Sequence, residues 1–155
     1  MLDVGDVPAD FVLKDDHGDE VRWNSLRKRP VVVFFYPRAS TPGCTREACA
    51  FRDLGSAFAD LGVAVLGMSG DSVAAQAKFR DAQGLTYPLL SDPEHVVLEP
   101  WGVFGQKKMY GKTVNGVIRS TFLFDKTGKV VQRWSPVKVD GHADKVLAEV
   151  ARFVR

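Results

Sequence analysis

An α/β fold on a central mixed sheet is predicted, and three observations predict it. Residues 30–36 and 63–68 are apolar runs without alternation, the pattern of strands buried on both faces. Segments with helical apolar spacing lie between and after such runs. Short strand-like segments also flank polar, glycine-containing turns towards each end of the chain, which reads as two hairpins. Strands alternating with helices, plus hairpins at both ends, point to a sheet with helices on both faces.

The elements follow in order. Phe11-Val12-Leu13 and Glu20-Val21-Arg22-Trp23 enclose Asp15-Asp16-His17-Gly18-Asp19, the N-terminal hairpin. After the strand at 30–36, Thr41-Pro42 reads as an N-cap followed by proline at the first helical position. The helix it opens sets Ala50, Leu54, Ala57, Phe58 and Leu61 on one side and is ended by Gly62. The strand at 63–68 leads to a helix capped by Asp71 or Ser72 and running to Asp81. Tyr87-Pro88-Leu89-Leu90 is a short strand whose proline suggests a sheet edge. Ser91-Asp92-Pro93 opens a short helix that stops before Gly102, and the glycine-rich stretch 102–116 reads as irregular. Ser120–Phe124 and Val130–Trp134 enclose Asp125-Lys126-Thr127-Gly128-Lys129, the second hairpin. A final helix from His142 places Val146, Leu147, Val150, Ala151 and Val154 on one face. With no linker, repeat or low-complexity tract, one domain over residues 1–155 is expected.

Composition excludes several classes. The 155 residues are 45% hydrophobic and 26% charged, an ordinary globular mix that needs no staples to fold. The net charge is +2, and no basic run exceeds Arg27-Lys28-Arg29, which argues against nucleic acid as a partner. The longest apolar stretch, 31–36, is far short of the ~20 residues a membrane helix needs. Met1-Leu2-Asp3-Val4-Gly5-Asp6 is acidic and has no apolar signal-peptide core, so a cytoplasmic, reducing location is expected. Cys44 and Cys49 are too few for a secreted disulfide scaffold. With His17, His95 and His142 scattered, they also make a poor zinc set, and no metal or cofactor is expected.

The cysteines sit in the most informative segment, Tyr36-Pro37-Arg38-Ala39-Ser40-Thr41-Pro42-Gly43-Cys44-Thr45-Arg46-Glu47-Ala48-Cys49. If Thr41 caps the helix, Cys44 falls in its first turn, where unpaired N–H groups and the positive dipole end favour a thiolate. Gly43 would let a small substrate approach the backbone, and Arg38 or Arg46 could add positive charge. Five residues of helix rotate ~500° and rise ~7.5 Å, so Cys44 and Cys49 point ~140° apart. A disulfide needs Cα atoms within about 7 Å and converging Cβ vectors. The two are therefore either unrelated thiols or a redox pair gated by local unwinding. Taken alone, Cys49 would read as a small buried hydrophobe, Pro37 as a strand terminator, Thr41 as a plain cap and Arg119 as a solvated arginine. Glu47 could tune the site or only complement the helix N-terminus.

The motif Tyr36-Pro37-x-x-x-Thr41-Pro42-Gly43-Cys44-Thr45 with Glu47-Ala48-Cys49 resembles the active-site signature of the peroxiredoxins, and within them the bacterioferritin comigratory protein (Q-type) subfamily. The resemblance runs through Gly5-Asp6, Leu90-Ser91-Asp92, Trp101-Gly102-Val103, Met109-Tyr110-Gly111-Lys112 and Arg119-Ser120-Thr121-Phe122-Leu123-Phe124-Asp125. Val7-Pro8-Ala9-Asp10 and Pro100 depart from the usual pattern, away from the chemistry. The resemblance implies a thioredoxin-like (peroxiredoxin) fold and a thiol peroxidase for antioxidant defence. It makes Cys44 the peroxidatic cysteine and Cys49 the resolving one, joined in an intramolecular disulfide. Thr41 holds the peroxide, Pro37 shields the thiolate and Arg119 closes over it. Implied substrates are hydrogen peroxide and alkyl hydroperoxides, and the implied reductant is thioredoxin, with glutaredoxin as the alternative. A monomer is expected, with a dimer as the other possibility. The rivals are a thioredoxin-like disulfide oxidoreductase, against which the Cys-x-x-x-x-Cys spacing stands, and a noncatalytic thioredoxin-fold binding domain.

Overall fold

A computed structural model describes residues 1–26 and 28–154; Arg27, first of the basic run, lies outside them. The central strand β3 (Val31–Phe35) explains its own sequence. Val31, Val33 and Phe35 enter one core cluster, while Val32, Phe34 and the following Tyr36 enter another. A pleated strand sends successive side chains to opposite faces, and here both faces are covered, so no alternation is visible.

β3 pairs in parallel with β4 (Ala64–Ser69) and antiparallel with β8 (Ser120–Phe124). β5 (Leu89–Ser91) continues in parallel from β4. The hairpin of β1 (Val12–Asp15) and β2 (Glu20–Arg22) joins antiparallel to β5, and β9 (Val130–Trp134) closes the other side against β8. The strand order is β2-β1-β5-β4-β3-β8-β9.

One face is covered by α2 (Pro42–Asp53), α3 (Gly55–Asp60), α4 (Val73–Gln83) and α5 (His142–Phe153). They contribute Ala48, Phe51, Phe58, Phe79, Ala143, Val146 and Val150 to its core. The other face is covered by α1 (Trp23–Leu26) and the turns that carry Val97, Leu98 and Trp101. There the Trp23 ring lies 5.5 Å from Phe11 and 4.9 Å from Phe124, and Trp101 meets Phe35 and Phe122 edge-on. Such pairs each add about 0.5–1.5 kcal/mol beyond the area they bury. The tryptophans Trp23 and Trp101 are packing residues.

The mixed sheet and both terminal hairpins are as the sequence predicts, and four details differ. β5 is interior, not an edge. Pro88 precedes it by one residue and only its carbonyl is used, accepting from the Gly67 amide at 3.1 Å, so no ladder donor is lost. The long helix after Thr41 divides at Leu54, whose φ of −96° and ψ of 7° leave the helical region. Its inward stripe begins with Cys44, Glu47, Ala48 and Phe51, whereas Ala50 and Leu54 pack only at the margin. Residues 92–103 form turns, because the buried Asp92 carboxylate takes the amides of Val96, Val97 and Leu98 at 2.7–2.8 Å. The stretch 102–116 contains a second, two-stranded sheet, β6 (Phe104–Met109) and β7 (Lys112–Val117). Its turn, Tyr110-Gly111, has positive φ at both residues, the tight-hairpin geometry. Of the two caps the sequence offers for α4, Ser72 is the one used, accepting from the Ala75 amide, while Asp71 accepts from the Ser69 hydroxyl and the Ala39 amide.

Candidate active site

α2 starts where β3 ends, at the end of the sheet from which the loop 37–41 leaves. Thr41 is the N-cap residue by backbone, with φ −86° and ψ 155°, and Pro42 takes the first helical position. Its hydroxyl does not cap, however; it donates to the Arg38 carbonyl at 2.8 Å. Its donor is thus spent inside the loop, and its lone pairs remain. Cys44 lies in the first turn and is 1% exposed. At this point of a helix the Gly43 and Cys44 amides have no carbonyl one turn back, so they form the positive end of α2.

The sheet register delivers Arg119. β8 runs antiparallel to β3 with Ser120 opposite Phe35, so Arg119, one residue earlier, lies level with the exit of β3. Arg119 Nη2 is 3.4 Å from Cys44 Sγ, and Nη1 is 2.7 Å from Glu47 Oε1. A Cβ on Gly43 would stand 3.3 Å from the same Nη2. A side chain at this position would crowd the guanidinium, so glycine lets Arg119 stand beside the sulfur. Arg38 is exposed, and Arg46 turns to Asp140 at 2.7 Å. The cation at the sulfur is Arg119, from 75 residues along the chain.

Glu47, which the sequence leaves open between tuning the site and complementing the helix N-terminus, pairs with Arg119 beside the sulfur. It is 1% exposed, and its Oε2 has no hydrogen-bond partner among the described residues. Burial pushes its carboxyl up to about 7, against the charge and hydrogen bond of Arg119. Burial opposes the charge of Arg119 as well, but Glu47 and Cys44 more than offset it and hold the guanidinium firmly protonated. The available signal was spacing: Glu47 follows Cys44 by three residues, on the same helix face. Lys107 was missed. Its Nζ donates to the Val117 carbonyl at 2.9 Å, and its charge reaches both Arg119 and Cys44.

Cys49 stands apart. Both cysteines are free thiols in one unbroken helix, so they keep the ~140° separation of that geometry. Cys49 Sγ is half-buried and lies 3.6 Å from Gln83 Oε1. The structure therefore brings Arg119 to Cys44, sets Thr41 at the start of the same helix, and holds Cys49 on another side of α2. His142 is buried, with Nε2 2.8 Å from Thr121 Oγ1 and its ring against Phe51 and Trp134. Burial, then the charges of Lys145 and Arg119, push it down to about 4, so it is a neutral packing group at ordinary pH. Among the described residues, no three His, Cys, Asp or Glu side chains converge as metal ligands.

Comparison with known proteins gives this geometry its context. Residues 4–133 match the AhpC/TSA family. Peroxiredoxin Bcp of Bacillus subtilis is 40% identical over 146 residues, covering 94% of this chain and 93% of that one. Peroxiredoxin Bcp of Escherichia coli is 40% identical over 146 residues, covering 94% of each. Among solved structures, the bacterioferritin comigratory protein of Xanthomonas campestris, studied for alkyl peroxide reduction, superposes with a TM-score of 0.92 at 39% identity. That match covers 99% of this chain and 100% of the other. Peroxidoxin BcpB of Mycobacterium tuberculosis gives 0.88 at 43% identity, with 100% and 99% covered. The likeness extends over the whole mixed sheet and its flanking helices, which is the thioredoxin-like peroxiredoxin fold. By sequence and by structure, the chain belongs to the AhpC/TSA family, in its peroxiredoxin Q or bacterioferritin comigratory protein branch.

Proposed function

We propose that this thiol peroxidase, one domain over residues 1–155, attacks peroxides with Cys44, resolves the product with Cys49, and is recycled by a thioredoxin. The observation that carries the reading is the Arg119 guanidinium at 3.4 Å from a buried thiol at the start of a helix. A cation and two open amides there favour negative charge on sulfur, and they face the oxygen on which charge develops as the O–O bond breaks.

In the first step the Cys44 thiolate attacks one peroxide oxygen. An S–O bond forms, the O–O bond breaks, and water or an alcohol leaves after taking up a proton. Cys44 becomes a sulfenic acid. Thr41, with its own proton donated to the Arg38 carbonyl, accepts from the peroxide hydroxyl. Pro37, in the same loop, shields the thiolate from water. In the second step the Cys49 thiol attacks the sulfenic sulfur, forming the Cys44–Cys49 disulfide and releasing water. A thioredoxin dithiol then reduces this bond and departs as a disulfide, with glutaredoxin as the alternative. Hydrogen peroxide and alkyl hydroperoxides are the substrates, and the protein works as a monomer in the cytoplasm. No helix among the described residues is long and apolar enough to cross a membrane.

The test is peroxide consumption coupled to purified thioredoxin and its reductase, comparing the wild type with Cys44→Ser. Turnover is expected for the wild type and background consumption for the variant. Retention of most activity by Cys44→Ser would overturn the reading.

A further inference from the structure

We propose that Gln83 and Tyr87 form a clasp on α2 that holds Cys49 in its resting position and sets how the Cys44 sulfenic acid divides between disulfide formation and further oxidation. This rests on Cys49 being the resolving cysteine.

Three contacts make the clasp. The Tyr87 hydroxyl donates to the Ala48 carbonyl at 2.6 Å in a buried position. Gln83 Oε1 faces the Cys49 thiol at 3.6 Å, and the Gln83 backbone carbonyl accepts from Arg52 Nη1 at 2.6 Å. Their targets, residues 48, 49 and 52, span little more than one turn of α2. Gln83 is the last residue of α4, and its carbonyl is one that a helix end leaves open. Gly84, at φ 61°, turns the chain so that both Gln83 and Tyr87 reach the same turn of α2.

The chemistry requires this clasp to open. Cys44 and Cys49 can bond only after the helix between them unwinds, which draws residues 48 and 49 away from Gln83 and Tyr87. Every clasp contact therefore stabilises the resting state against the opened one and slows the attack of the Cys49 thiol on the sulfenic sulfur. While the sulfenic acid waits, a second peroxide can transfer an oxygen to its sulfur, giving sulfinic acid plus water or alcohol. The longer the clasp holds, the more enzyme takes that second route.

Gln83→Ala removes the contact to Cys49 and leaves the backbone bond to Arg52; Tyr87→Phe removes the hydroxyl and keeps the ring. In each, reduced protein is mixed rapidly with hydrogen peroxide, quenched with an alkylating reagent and read by mass spectrometry. Losing one net hydrogen bond should speed first-order disulfide formation about 2- to 10-fold. The second-order rate of Cys44 with peroxide should be unchanged, and the peroxide dose giving half sulfinic acid should rise by the same factor. A general loss of packing would not accelerate one step and spare the other. Equal or slower disulfide formation in both variants, with the wild type forming its disulfide normally, overturns the clasp alone. A wild-type chain that forms no Cys44–Cys49 disulfide overturns the resolving role, and the clasp with it.

Discussion

Arg119→Met removes a guanidinium that makes two contacts, one to Cys44 Sγ at 3.4 Å and one to Glu47 Oε1 at 2.7 Å, and keeps an unbranched side chain in its place. The kinetic consequence follows from the first contact. Losing one donor aimed at developing charge in a closed site costs about 10²–10³ in rate, or about 3–4 kcal/mol. The structural consequence follows from the second. Glu47 would be left 1% exposed without its cation, and a stranded buried charge costs about 3–5 kcal/mol. Glu47 has a way out. Its carboxyl is already pushed up to about 7 by burial, with only Arg119 pulling it down. Without that pull it takes up a proton at neutral pH and avoids most of the cost. The variant should therefore stay folded while its reaction with peroxide slows by two orders of magnitude or more. The assay is stopped-flow measurement of the second-order rate with hydrogen peroxide, beside circular dichroism. Arg119→Lys keeps the charge without the two-pronged geometry and should fall between. An unchanged rate in Arg119→Met would refute the role at Cys44. A chain unfolded at pH 7 would refute the protonation argument.

Cys49→Ser should still form sulfenic acid with peroxide but lose thioredoxin-linked turnover; the check is sulfenic-acid trapping beside the coupled assay. Glu47→Gln tests the same carboxyl through stability. Since its pKa is raised from 4.5 to about 7 on folding, the native state binds the extra proton, and the stability this contributes is present below pH 4.5 and lost as pH rises through 7. Denaturant curves from pH 4 to 8 should show the variant gaining on the wild type by about 3 kcal/mol with rising pH, and parallel curves would count against it. Gly67→Ala should destabilise by about 1–3 kcal/mol, because the new methyl would lie 2.8 Å from Leu89 Cδ2 and 3.0 Å from Phe34 Cζ; thermal unfolding reads this directly.

Local signals carried much of this protein. The runs at 30–36 and 63–68 could be read as buried strands because a strand covered on both faces has no polar face to display. Thr41-Pro42 marked the start of α2, and the five-residue spacing of Cys44 and Cys49 in a helix already said that the sulfurs rest apart. Hydrophobic pattern failed where backbone groups are satisfied by something other than burial. The hairpin of β6 and β7 has few buried residues, so no alternation announced it. The turns at 92–103 follow one buried carboxylate, Asp92, taking three amides that a helix would have used otherwise.

By itself the sequence determined the local conditions for the chemistry: a thiol in the first turn of a helix, a threonine at its start, and a second thiol held out of reach along the same helix. These depend only on residues within one turn or two of each other, where propensity and helical geometry decide the outcome. Which cation stands at the sulfur was decided by tertiary structure. Arg119 reaches Cys44 because β8 runs antiparallel to β3 in a register that sets Ser120 against Phe35. Glu47 joins the site only because that arginine arrives to pair with it. The grip of Gln83 and Tyr87 on α2 likewise exists only once α4 and β5 are packed. Contacts between residues tens of positions apart are set by strand register and by which faces are buried together, and neither is written in the spacing of any one segment.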